Sequence, residues 1–179
     1  MRELIVVLIL VNLTLIYSEF LCDVKFHTGK KCATTDNSTI KYYFDRELAY
    51  CYPYMFLGCG EGENSFNDEQ ECLSTFDQVT CGANSEPVGT CMGFKNEVCK
   101  TGSVCVNGAM VGLCCNEKIQ AEWNSEQSPK CSKTSEKVVE VKTWFGSTPL
   151  IGRECAHKFC SSGSTCVQGK WTAHCCTKK

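Results

Sequence analysis

The chain has 179 residues, 17 of them cysteine, with 43% hydrophobic residues and a formal net charge of −2. A balance so near neutral, with no basic stripe, excludes the electrostatic footprint of a nucleic-acid binder. With three histidines and no C-x2-C pair, the cysteines do not form a zinc-ligand pattern, and their density points instead to a disulfide framework in an oxidising compartment.

The first residues, MRELIVVLILVNLTLIYSEF, set that compartment. Arg2 gives a short positive start, Leu4–Tyr17 is almost wholly apolar, and Ser18 is a small residue at a cleavage point. This is the layout of a secretory signal peptide over residues 1–18, with the exported chain starting near Glu19. The apolar run falls short of the roughly 20 residues a membrane-spanning helix needs, and no later segment is apolar enough to span, so no membrane span is expected in the mature chain.

Between Cys22 and Phe76 the cysteines follow C-x9-C-x18-C-x7-C-x12-C. Ile40–Asp45 and Ala49–Phe56 are β-branched and aromatic runs separated by Arg46-Glu47-Leu48, and they predict a β-hairpin. Pro53 lacks a ladder donor and is expected at an edge or outward position. Beyond Phe66, Asp68 is a helix N-cap with Glu71 at the third helical position, which predicts a short helix to about Thr75. A hairpin and one helix hold little core, so disulfides worth about 2–4 kcal/mol each are expected to supply the deficit.

These residues carry a resemblance. Tyr54-x3-Gly58-Cys59-x6-Phe66-x5-Cys72, with Asn64 two before Phe66 and the aromatic pair Tyr42-Tyr43, is similar to the signature of Kunitz-type (pancreatic trypsin inhibitor-like) domains. The resemblance covers Cys22 to about Phe76 and implies the pairs Cys32–Cys59 and Cys51–Cys72. It also implies a serine-protease inhibitor whose exposed loop enters the enzyme cleft, the residue after the second cysteine filling the specificity pocket. Carried onto this chain, that residue is Ala33, with Lys31, Cys32, Thr34 and Thr35 beside it and Leu57 and Gly58 in the adjoining segment.

The sequence departs from the family in three ways. Phe76 stands where the family has its last cysteine, so Cys22 must reach Cys81 or stay unpaired. Leu57 replaces the first of two glycines usual before Cys59. The Cys32–Cys51 spacing is longer than is usual, and the extra residues fall in Ala33–Thr39. Alanine suits a small, elastase-like pocket, whereas trypsin selects a basic side chain, which argues against tight trypsin inhibition. Asn37-Ser38-Thr39 is an N-glycosylation sequon, and a glycan on Asn37 would sit four residues beyond Ala33, where it obstructs docking.

The second half repeats itself. CKTGSVCVNGAMVGLCC (99–115) and CSSGSTCVQGKWTAHCC (160–176) share C-x2-G-S-x-C-V-x-G-x5-CC, the mark of an internal duplication. The pattern resembles lustrin-like cysteine-rich repeats that accompany Kunitz domains in some invertebrate secreted proteins. Two partitions of the cysteines are open. In one, Cys81, Cys91, Cys99, Cys105, Cys114 and Cys115 form one set, and Cys131, Cys155, Cys160, Cys166, Cys175 and Cys176 the other, leaving Cys22 odd. In the other, Cys22 pairs with Cys81 and a repeat is left one short. The first is favoured, because Phe76 accounts for Cys22 having lost its partner. Either way one thiol remains for an intermolecular bridge. Asn116–Lys142, polar and charged, is expected to be a loosely ordered connection.

The expected organisation is therefore a small disulfide-rich protein. A signal peptide (1–18) precedes a Kunitz-like α+β module of β-hairpin and C-terminal helix (22–80). Two small, mainly β and loop cysteine-rich repeats follow (81–130 and 131–179). An enzyme is not expected: no GxSxG or HExxH occurs, and His27, His157 and His174 read as surface residues. Gly58, Gly60 and Gly62 follow no βαβ pattern and read as turn residues, not as a nucleotide loop. Trp123, Trp144 and Trp171 read as core by default. The headline expectation is a secreted, glycosylated serine-type endopeptidase inhibitor without cofactor or metal, its partner an extracellular protease with a small specificity pocket. The alternative is a non-inhibitory matrix, cuticle or surface-binding protein built on the same scaffold.

Overall fold

The computed structural model describes residues 26–33, 38–76, 79–92, 99–108, 111–143 and 146–179. The expected signal peptide, Cys22, Thr34, Thr35, Asn37 and Trp144 lie outside the described residues. Among the described residues, no helix is long and apolar enough to cross a membrane.

The N-terminal part is built on the predicted hairpin. Strand β1 (Lys30–Lys31) precedes it; β2 (Thr39–Asp45) and β3 (Tyr50–Phe56) form its antiparallel arms, and β4 (Gly58–Cys59) follows. Ala49, with a φ of 49°, closes the turn between the arms. Pro53 is fully buried opposite Tyr42, an outcome the ladder's phase explains. Tyr42 spends both backbone groups on Phe66 (N to O 2.9 Å, and 2.8 Å in return). Tyr42 and Pro53 are thus a non-hydrogen-bonded pair, and the missing proline donor faces away from β2.

Helix α1 (Glu69–Thr75) starts where the cap predicts. The Asp68 carboxylate accepts from the Glu71 backbone N–H at 2.8 Å, and the Glu71 side chain reaches back to the Asn67 N–H at 2.8 Å. Phe76 ends the helix with its ring stacked on Phe44, centroids 4.0 Å apart, and edge-on to Phe66 at 6.0 Å. Asn64, 3% exposed, holds the Phe44 backbone from both sides: its Oδ1 accepts from Phe44 N at 2.8 Å and its Nδ2 donates to Phe44 O at 3.0 Å. Those bonds satisfy backbone groups of β2 that have no neighbouring strand.

The second half forms two small sheets. In one, β5 (Gly89–Cys91) and β6 (Ser103–Val106) flank β7 (Gly112–Asn116). In the other, β13 (Ala173–Lys178) pairs with β12 (Thr165–Gln168) on one side. Its other side pairs with β11 (Ile151–Gly152) at one end and β8 (Glu136–Val138) at the other. Strands β9 (Glu140–Thr143) and β10 (Gly146–Pro149) make a separate hairpin. Bridges Cys81–Cys115, Cys91–Cys105 and Cys99–Cys114 staple the first sheet, and Cys131–Cys176, Cys155–Cys166 and Cys160–Cys175 the second, in the same first-to-last order. Cys81 is thus bonded to Cys115, not to Cys22. With Cys32–Cys59 and Cys51–Cys72, every cysteine among the described residues is bridged.

Two expectations need correction. Asn116–Lys142 is not a loose connection: it contains helix α2 (Glu117–Gln127) as well as β8 and part of β9. Asn116 caps α2 by accepting from Lys118 N and Ile119 N, both at 3.1 Å, and the run EKIQAEWNSEQ is rich in helix formers. Second, His157 and His174 are not surface residues; both are partly buried between packed elements, while His27 is exposed.

The hairpin core is larger than one module. Tyr43, Leu48, Tyr52, Tyr54 and Phe56 are buried together, and Phe26, Ala83, Trp123, Ile151 and Trp171 pack against them. The deficit of a lone hairpin and helix is therefore met by apolar cover from α2 and the C-terminal sheet as well as by bridges.

Candidate functional site

The segment 26–33 runs along the hairpin's edge and is fixed at several points. Leu57 N–H donates to Thr28 O at 2.8 Å. Gly29 turns with a φ of 71°, and a side chain there would meet Cys59 O at 2.5 Å and the Phe56 ring at 2.7 Å, so only glycine fits. Lys30 and Lys31 then pair antiparallel with Cys59 and Gly58, and Gly58 needs its φ of 106° to make that approach. The Cys32–Cys59 bridge closes the arrangement one residue before Ala33.

What this clamp presents to solvent is Lys30, Lys31 and Ala33, all exposed, with Cys32 half-buried between them. The segment is thus short, held by a disulfide and a two-residue ladder, and bears a small exposed side chain. Leu57 is half-buried, and its backbone braces the segment from below. Alongside it, Lys41 forms an ion pair with Glu61. The Glu61 carboxyl also accepts from Ser65 Oγ at 2.9 Å. The Lys41 hydrogen bond holds that carboxyl below its ordinary value, against a smaller opposing effect of burial.

Three residues around this segment, Phe26, His157 and Arg153, had no signal in the sequence pattern. Phe26 stacks on Tyr43 with centroids 3.8 Å apart, and His157 stands edge-on to Phe26 at 4.8 Å and to Tyr43 at 5.5 Å. The Tyr43 hydroxyl lies 3.5 Å from His157 Nδ1. Burial, reinforced by Asp45, pushes the Tyr43 hydroxyl far above the ordinary tyrosine range. Arg153 spans the junction: Nε donates to Asp45 Oδ2 at 3.3 Å, Nη2 to Glu47 Oε2 at 2.8 Å and Nη1 to Trp171 O at 2.7 Å.

Glu126 on α2 gathers donors from one loop. Its carboxylate accepts from the backbone N–H of Lys170 (2.6 Å), Trp171 (3.0 Å) and Thr172 (2.8 Å) and from the Thr172 hydroxyl (2.9 Å). Burial alone would raise this carboxyl, but those bonds hold it below its usual value. The sulfurs of Cys91, Cys99 and Cys105 lie within 4.8 Å of one another, yet each is consumed by a bridge, which leaves no thiolate to bind a metal.

Residues 21–76 match the family model of the Kunitz/Bovine pancreatic trypsin inhibitor domain. The chain is 52% identical over 161 residues to a BPTI/Kunitz inhibitor domain-containing protein of Caenorhabditis elegans, covering 88% of this chain and 90% of that one. It is 33% identical over 69 residues to papilin of Drosophila melanogaster, 36% of this chain and 2% of papilin. It is also 33% identical over 52 residues to the uterine plasmin/trypsin inhibitor of Sus scrofa, 29% of this chain and 41% of that protein. No solved structure matches the chain. The nematode relative is similar through the second half as well as the Kunitz segment, and on that breadth the chain belongs to the BPTI/Kunitz inhibitor domain family.

Proposed function

We propose that the chain is a secreted inhibitor of serine endopeptidases. Its loop Lys31-Cys32-Ala33-Thr34-Thr35, backed by Leu57 and Gly58, offers Ala33 to a small specificity pocket. The observation that carries this reading is the exposed Ala33 directly after Cys32, which is bridged to Cys59 and follows the β1–β4 ladder. Rigid presentation lowers the entropy lost on binding, and a methyl side chain fills a small pocket but gives no ion pair to the acidic pocket of trypsin. The leader-like first residues and the disulfide density support secretion. The family relatives, one of them a plasmin/trypsin inhibitor by name, support protease partners as a class.

A second reading, an extracellular matrix or surface-binding protein that does not inhibit, is favoured by two features beside Ala33: Leu57 where the family has glycine, and the Asn37 sequon. Assaying the purified, enzymatically deglycosylated protein against elastase, chymotrypsin and trypsin separates the two. Elastase inhibition with weak or no effect on trypsin is expected. Indifference of all three enzymes at micromolar concentration favours the second reading.

A further inference from the structure

The loop that carries Ala33 springs from a stem, Phe26–Thr28, and the far side of that stem is covered by the C-terminal half of the chain. Phe26 lies between Tyr43 of β2, stacked at 3.8 Å, and the His157 ring, edge-on at 4.8 Å. In the Kunitz resemblance the N-terminal arm is tied to the helix by a disulfide; here Phe76 occupies the helix position and offers no sulfur. His157 is thus the residue from outside the Kunitz segment that closes the aromatic sandwich over the stem. Arg153, four residues earlier, anchors the same edge to Asp45 and Glu47.

We propose that His157 is a positioning residue for the Ala33 loop. By packing against Phe26 and Tyr43 it fixes the stem, so that inhibitor strength depends on the C-terminal sheet being docked and falls in acid. This rests on the inhibitor reading above. The mechanical link is short: Phe26 is followed within two residues by Thr28, whose carbonyl holds Leu57 N–H, and then by the Gly29 turn that sets the β1–β4 ladder. A stem free to move passes its motion to Lys30–Ala33 through the Thr28–Leu57 bond and the Gly29 turn.

The acid dependence follows from the charges that surround the imidazole. Tyr43 and Asp45 face it from β2; Glu154 and Arg153 face it from its own segment, and Arg153 is in turn paired with Glu47. Burial lowers the His157 value most, Arg153 adds to that, and Glu154 and Asp45 oppose it without reversing it. The docked state therefore prefers the neutral ring. Its docking contribution is complete above the ordinary histidine value of about 6.5, and it is lost as pH falls through the lower value of the docked ring.

The test uses the full chain and its variants His157→Ala and His157→Phe. Dissociation from elastase is measured at pH 7.5 and pH 5.0, and hydrogen exchange of backbone amides 27–31, corrected for intrinsic rates, is followed in parallel. Wild type is expected to dissociate and exchange about tenfold faster at the lower pH, a loss of preorganisation. His157→Ala is expected to be fast at both pH values. His157→Phe, which keeps a ring but cannot protonate, is expected to be slow at both. The proposal is overturned if His157→Ala matches wild type in exchange, or if His157→Phe keeps the wild-type pH dependence. If wild type inhibits no protease, the inhibitor reading fails, and the exchange data still decide whether His157 positions the stem.

Discussion

Arg153 on the C-terminal side donates from Nε to the Asp45 carboxylate at 3.3 Å, across 108 residues of sequence, with both side chains about 15% exposed. This pair, extended to Glu47 and the Trp171 carbonyl, locks the C-terminal sheet onto the turn end of the Kunitz hairpin. Arg153→Ala leaves Asp45 largely buried beside Tyr43 without its cation, and a loss of about 2–3 kcal/mol is expected. Denaturant unfolding checks it: the midpoint falls, while Arg153→Lys, which keeps the charge but not the three-way fork, recovers only part of the loss.

Phe76 fills by packing the position where related domains close a bridge. Phe76→Ala removes the stacked contact with Phe44 at 4.0 Å and the edge contact with Phe66, and about 2 kcal/mol of stability is expected to go with it. Thermal unfolding reads the change. Phe76→Leu, which keeps volume but no aromatic face, is expected to fall between the two.

Glu126 joins α2 to the 170–172 loop through four donors. Because its carboxyl is held below the ordinary value, its contribution is fully present above about pH 4.3, the unfolded value, and is lost as pH falls through the lower folded value. Glu126→Gln is therefore expected to melt lower than wild type at pH 7 and to converge with it in strong acid. A melting series between pH 7 and pH 2.5 tests the convergence.

The parts of this fold legible in the sequence are local. Alternating aromatic runs mark β2 and β3, Asp68 with Glu71 marks the start of α1, and Gly58-Cys59 with Phe66 and Cys72 marks the family, because each signal acts over a few residues. Helix α2 was hidden by its own composition: Ile119 and Trp123 are the only large apolar side chains between Glu117 and Gln127, too thin a stripe to show a period. His157 and Arg153 were hidden by distance. Their partners lie 114 and 108 residues away, and single charged or aromatic residues carry no spacing rule that links such separations.

Gly29 fixes the loop's exit from its stem. Gly29→Ala places a methyl within 2.5 Å of Cys59 O and 2.7 Å of the Phe56 ring at a φ of 71°. A destabilisation of about 1–3 kcal/mol is expected. Inhibition is expected to weaken more than global stability does, since the strain falls on the β1–β4 ladder. Comparing inhibition constants with unfolding midpoints for the same preparations separates the two effects.

Ala33, held by the Cys32–Cys59 clamp, is the residue proposed to enter a protease pocket. Ala33→Arg tests it most directly, because one substitution changes the side chain offered and leaves the clamp intact. The deglycosylated wild-type protein is expected to inhibit elastase and not trypsin, and Ala33→Arg is expected to inhibit trypsin and lose elastase. If the variant leaves both enzymes as the wild type does, Ala33 is not the residue that docks.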